Sequence, residues 1–194
     1  ILKSLNKYND SKKSLKKAIE IDPKYFDALI NLGLLHKESN NYNDAEKYYL
    51  KAIEINNKSA IAHLNLGACY KEKLEIDKAI FHTELAIDLD GKLKNCYINL
   101  ATIYNQKGDY KKALELANKE ILTHQNSQLS YELISELIKK PELLELSEKD
   151  KRDFLRNILN RKDISHRELF ANINNIISTE ILERLSRLEL GIEE

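Results

Sequence analysis

Asn31-Leu32-Gly33 recurs as Asn65-Leu66-Gly67 and again as Asn99-Leu100-Ala101, each triplet 34 residues after the one before. A step of that length is one helical hairpin, too small to bury its own apolar face and therefore stacked against copies of itself. The 194 residues then spread their core along an axis instead of gathering it in one globule, and stability comes from contacts between neighbours. Stacked hairpins expose a long concave surface and no deep pocket of their own, which points to binding another chain.

Numbered from one to 34, full units run from Phe26, Ala60 and Lys94. The eighth position is small (Gly33, Gly67, Ala101), and so is the twentieth (Ala45, Ala79, Ala113). Two antiparallel helices need close backbone approach at such points, and large side chains would push them apart. Bulky residues fill the surrounding space at the seventh position (Leu32, Leu66, Leu100), the eleventh (His36, Tyr70, Tyr104) and the seventeenth (Tyr42, Ile76, Tyr110). Turns fall at Asn40-Asn41, Leu74-Glu75 and Gly108-Asp109 within units, and at Asp22-Pro23, Asn56-Asn57 and Asp90-Gly91 between them. All but Leu74-Glu75 carry turn-favouring chemistry.

Over residues 1–122 these small, aromatic and proline positions resemble the tetratricopeptide repeat (TPR) of bacterial proteins. The resemblance implies an all-α fold, a right-handed superhelical solenoid of antiparallel helix pairs, with protein or peptide partners. The chain departs from the pattern at the fourth position (Leu29, His63, Tyr97) and keeps the linker proline only at Pro23. Tyr8, Ser11, Leu15, Ala18 and Pro23 fit the second helix of a unit whose first helix would precede Ile1. At the other end the small residue of Ala18, Ala52 and Ala86 becomes Glu120, a charge where a further repeat should pack, so the array is expected to stop there.

Residues 123–194 are expected to lose the 34-residue step and to form a short helical C-terminal extension, a cap or junction. Leu133, Ile134, Leu137 and Ile138 keep helical spacing before Pro141. Capping-box starts follow at Ser147-Glu148-Lys149-Asp150 and Ser165-His166-Arg167-Glu168, and another apolar stripe runs after Ser178. Arginine supports the boundary: residues 1–122 hold 20 Lys and no Arg, residues 123–194 hold 5 Lys and 6 Arg.

The 31 basic and 31 acidic side chains cancel, which leaves no electrostatic footprint for nucleic acid or an anionic membrane. No uncharged apolar run nears the ~18 residues of a membrane span, and Ile1 to Lys7 lack a signal-peptide core, so a cytoplasmic protein is expected. Cys69 and Cys96, without metal-type spacing, read as buried free thiols. The five glycines never cluster, and the five histidines show no HxxxH or HExxH spacing. Neither a catalytic constellation, a metal site nor a cofactor is expected.

On the first helix of each unit the core takes the third, seventh, tenth and eleventh positions, which leaves a second stripe for binding. In the resembling family that stripe lines the concave groove. Its sixth position is Asn31, Asn65 and Asn99, its fifth is Ile30, Leu64 and Ile98, and Lys37 and Lys71 stand at the twelfth beside Glu38 and Glu72. One amide per repeat suits the paired N–H and C=O groups of an extended backbone. The amides could equally tie neighbouring repeats together. Family members that clamp a terminal carboxylate use lysine at the fifth position, which is absent here, whereas the asparagines resemble the ladder in the repeat arm of protein O-glycosyltransferases. Two functions follow: a noncatalytic scaffold for an extended peptide, or the recognition arm of a larger glycosyltransferase or methyltransferase. Self-association through exposed solenoid ends is a third.

Overall fold

The computed structural model describes residues 2–124, 127–137 and 140, with side chains from Asn9 onward except that of Ser135. The segments read from Ser147, Ser165 and Ser178 lie outside the described residues. Among those described, the chain is helical and has no strand: α1 (Leu2–Ile21), α2 (Phe26–Glu38), α3 (Tyr42–Ile55), α4 (Ala60–Glu72), α5 (Ile76–Leu89), α6 (Cys96–Lys107), α7 (Tyr110–Thr123) and α8 (Gln128–Leu137). It divides into two compact units, residues 1–103 and 104–194, with the boundary inside α6.

In the first unit α2 pairs with α3 and α4 with α5, while α1 packs on α2 and α3 on α4. The eighth position decides how closely each pair sits. A Cβ on Gly33 would lie 2.5 Å from Cε1 of Tyr49, a ring with no exposure at all. At Gly67 a Cβ would run into the Thr83 hydroxyl and come within 3.1 Å of the Ala79 carbonyl. Tyr49 and Thr83 share one position of the unit, so that position presses on the glycine across the pair.

Every turn inside a unit uses one device. Asn40, Leu74 and Gly108 stand at the fifteenth position, all with positive φ (59°, 63° and 87°). The two residues closing each turn bond back into the helix: Asn40 N–H to Lys37 and Asn41 N–H to His36, Leu74 to Lys71 and Glu75 to Tyr70, Gly108 to Asn105 and Asp109 to Tyr104. This is the Schellman closure, which satisfies the last free carbonyls of the helix. Asparagine and glycine suit it, whereas leucine pays a steric cost of about 1–2 kcal/mol. Leu74 is also 70% exposed, so burial returns little of that cost.

The linkers between units repeat as faithfully. Oδ1 of Asp22, Asn56 and Asp90 accepts from the backbone N–H two residues on, at 2.9, 3.1 and 3.0 Å. One offset appears: α6 begins at Cys96, two residues inside the unit that starts at Lys94, after Asn95 with φ 72°.

The second unit contains the helix expected from Leu133, Ile134 and Leu137 ahead of Pro141. α8 starts at Gln128, 34 residues after Lys94, and packs on α7. The Ser127 carbonyl accepts from Ser130 and Tyr131, as the Ser59 carbonyl accepts from Ala62 and His63 two units earlier. Ser130, Ile134 and Leu137, at the third, seventh and tenth positions, have no exposure. Glu120 does not end the stack as an exposed charge: it is fully buried, with its carboxylate 3.1 Å from His124 Nδ1. A buried carboxylate is tolerated when it is paired in this way.

Two substitutions test this geometry by urea denaturation. Leu74→Asn should stabilise the protein by about 0.5–1 kcal/mol by removing the left-handed strain. Gly33→Ala should destabilise it by about 1–3 kcal/mol, because the buried Tyr49 ring has nowhere to move.

Candidate functional site

The expected binding stripe lies on α2, α4 and α6. Asn31 is exposed, and Asn65 and Asn99 are half-buried. None of the three side-chain amides hydrogen-bonds to another described residue. Lys71 and Lys37 are half-buried; Lys71 Nζ sits 3.0 Å from Glu72 Oε1, and Lys37 makes no ion pair among the described residues.

The fifth positions are less open than their apolar character suggests. Ile30 and Leu64 keep 8% exposure and Ile98 keeps 2%. Leu64 shows why: it clusters with Ala86 of α5 and Cys96 at the start of α6, and Ile87 and Leu93, from α5 and the linker, pack against that cluster. These side chains brace the layer behind the asparagines and do not form an open floor. Apolar surface on the stripe comes instead from Ile61, 45% exposed at the second position, and from the half-buried Leu34 and Ala68 at the ninth.

Beside the stripe a polar clamp crosses from one helix pair to the next. The Tyr70 hydroxyl on α4 donates to Glu46 Oε1 on α3 at 2.9 Å, and Lys73 bridges Glu46 and Glu75. Lys78 binds Glu75 from α5, with its ammonium 5.1 Å from the centre of the Tyr70 ring. Burial, then the bond to Glu46, pushes the Tyr70 phenol up to about 12. The hydrogen bonds to Glu46 and Glu75 hold the Lys73 ammonium well above its usual range, and those from Lys78 and Lys73 hold the half-buried Glu75 carboxyl below its own. Glu46 is the hinge of this clamp, and no motif in the sequence announces it.

Chemistry of other kinds finds little support. Cys69 is buried, its thiol donates to the Tyr42 carbonyl at 3.2 Å, and burial pushes its pKa up to about 11, which makes it a poor nucleophile. Cys96 is also a buried free thiol. His36 is 5% exposed, tilted against Tyr48 and 3.4 Å from Asp44, a packing residue in the aromatic position of its repeat. Among the described residues no group of three or more His, Cys, Asp or Glu side chains could hold a metal ion, and no helix is long and apolar enough to cross a membrane.

Stacked helix pairs that present one uncommitted polar side chain per pair define a helical-repeat interaction scaffold. Family models agree on which kind: a TPR repeat model matches residues 1–40, a tetratricopeptide repeat model residues 26–59, and another residues 95–119. The chain belongs to the tetratricopeptide repeat family. Among solved structures it is similar to MamA at 22% identity, covering 81% of this chain and 90% of that one with a TM-score of 0.65. The TPR domain of Sgt2 from Aspergillus fumigatus shares 26% identity over 60% of this chain and 79% of its own, with a TM-score of 0.57. An O-GlcNAc transferase mutant from Thermobaculum terrenum shares 23% identity over 59% of this chain but only 22% of its own, with a TM-score of 0.57. No curated protein matches the chain in sequence.

The clamp makes a test of the scaffold. Glu46→Ala should cost about 1–3 kcal/mol in urea denaturation by stranding the Tyr70 hydroxyl and one partner of Lys73. Lys51→Ala, on an exposed position of α3, should cost less than about 0.5 kcal/mol.

Proposed function

We propose that the protein is a noncatalytic scaffold that holds an extended segment of a partner protein along α2, α4 and α6. The observation that carries this reading is the uncommitted state of Asn31, Asn65 and Asn99, one amide at the same position of each first helix. Amides that tied repeats together would bond to neighbouring repeats, and the absence of such bonds among the described residues supports the ladder.

Helices pack about 8–10 Å apart and an extended chain advances about 3.3–3.6 Å per residue, so each asparagine meets about every third residue of the guest. Three rungs grip about seven residues. At about 0.5–1.5 kcal/mol per hydrogen bond the ladder sets register with weak affinity. Ile61, Leu34 and Ala68, with the edges of Ile30, Leu64 and Ile98, supply the apolar contacts, and Lys37 and Lys71 supply charge at one side.

A second reading, the recognition arm of a larger enzyme, draws on the likeness to a stretch of a glycosyltransferase. Reading the gene beyond Glu194 separates the two.

The triple change Asn31→Ala, Asn65→Ala, Asn99→Ala tests the ladder. Peptides captured from a random extended-peptide library by the wild type should be lost at least tenfold by the variant, with its thermal midpoint kept within a few degrees. Equal capture by both proteins would exclude the ladder.

A further inference from the structure

His63 on α4 and His82 on α5 face each other nitrogen to nitrogen inside the second helix pair. Their Nδ1 atoms are 3.1 Å apart, the ring centres 5.3 Å and the planes 15° apart. The separation of the centres is near what two rings pointing Nδ1 at Nδ1 would show, so the contact is an in-line N–H···N hydrogen bond. The other nitrogen of His63 settles which ring donates. Its Nε2 lies 3.1 Å from the Asn57 carbonyl, an atom that only accepts, so Nε2 carries the proton of neutral His63. His63 Nδ1 is therefore bare and accepts from the Nδ1–H of His82.

We infer that His63 and His82 form an acid-released latch, closed while His63 Nδ1 is bare and opened when that nitrogen takes a proton. The latch joins three pieces of backbone: the linker at Asn57, α4 and α5. A first added proton has one place to go, His82 Nε2, which keeps the Nδ1–H bond intact. A second must sit on His63 Nδ1, where two N–H groups on two cations would then meet head to head.

The surroundings resist the first step. His63 is 4% exposed. The His82 ring lies 5.5 Å from that of Tyr70 on α4, and Phe81 on α5 sits edge-on at 5.1 Å. The charged groups around the pair are Lys78 on α5, itself held by Glu75, and Glu46 of α3, which reaches the Tyr70 hydroxyl. Burial, then His63, then Lys78 push His82 down to about 4. An unfolded chain titrates His82 near 6.5. Between that pH and about 4 the folded state holds fewer protons at His82, so stability is lost as pH falls through that range, and the Nδ1···Nδ1 bond itself parts only with the second proton.

Urea denaturation of the full chain between pH 7 and 4.5, wild type against His82→Asn, tests the latch. The asparagine amide keeps an N–H donor near the place of Nδ1 but does not titrate. The folding constant of the wild type should fall with pH more steeply than that of the variant, by up to about tenfold per pH unit for the one proton removed. Equal slopes would overturn the proposal. Nitrogen-15 spectra of histidine-labelled wild type give a second readout should the variant fail to fold. A His82 ring that stays neutral well below pH 6.5 is expected, and ordinary titration of His82 near pH 6.5 would overturn the proposal.

Discussion

Close contact between the two helices of a pair is the constraint on which the rest of the first unit depends. It is set by glycine on one helix and by the side chain that presses on it from the other, Tyr49 against Gly33 and Thr83 against Gly67. The two solutions differ in size, a buried ring and a small hydroxyl, yet both leave no room for a Cβ. With the helices locked this closely, a residue's position in the 34-residue count determines which face it occupies. The asparagines share a face for that reason, and so do the braces behind them.

Between helices the same separation appears of a rule from the residue that obeys it. The left-handed turn at the fifteenth position is made by Asn40, Leu74 and Gly108 alike. Two of these residues favour the conformation, and leucine is carried into it by the Schellman bonds and by the pairing of α4 with α5. The clamp of Glu46, Tyr70, Lys73, Glu75 and Lys78 works at the next level and joins one pair to the next. Its members come from α3, α4, α5 and the turn between the last two.

What could be read from the sequence was whatever repeats. The helix order, the small contact positions, the turns and the place of the asparagine stripe are each written three times at a fixed interval. Features written once were harder to see. Glu46 gains its importance from Tyr70 and Lys73, residues 24 and 27 positions away that no local pattern links to it. The fifth positions look like open apolar floor in a helical projection, but Leu64 clusters with Cys96 from the following helix, and Leu93 from the linker packs against that cluster. α8 was legible as a helix from the spacing of Leu133, Ile134 and Leu137, while its place 34 residues after Lys94 was masked by Leu133 at the sixth position and Glu132 at the fifth, where earlier units carry asparagine and an aliphatic residue.

That persistence of the count has a consequence for how such a surface changes over time. The residues that keep helices in phase, at the eighth, fifteenth and thirty-first positions, are separate from those proposed to meet a guest, at the sixth and ninth. A mutation at Asn65 therefore rewrites one rung and leaves its neighbours legible, much as a letter is exchanged in a word of fixed spelling length. α8, with leucine in the place of the amide, is what one such exchanged letter looks like, and a lineage can drift from one guest to another rung by rung while the framework that spaces the rungs stays still.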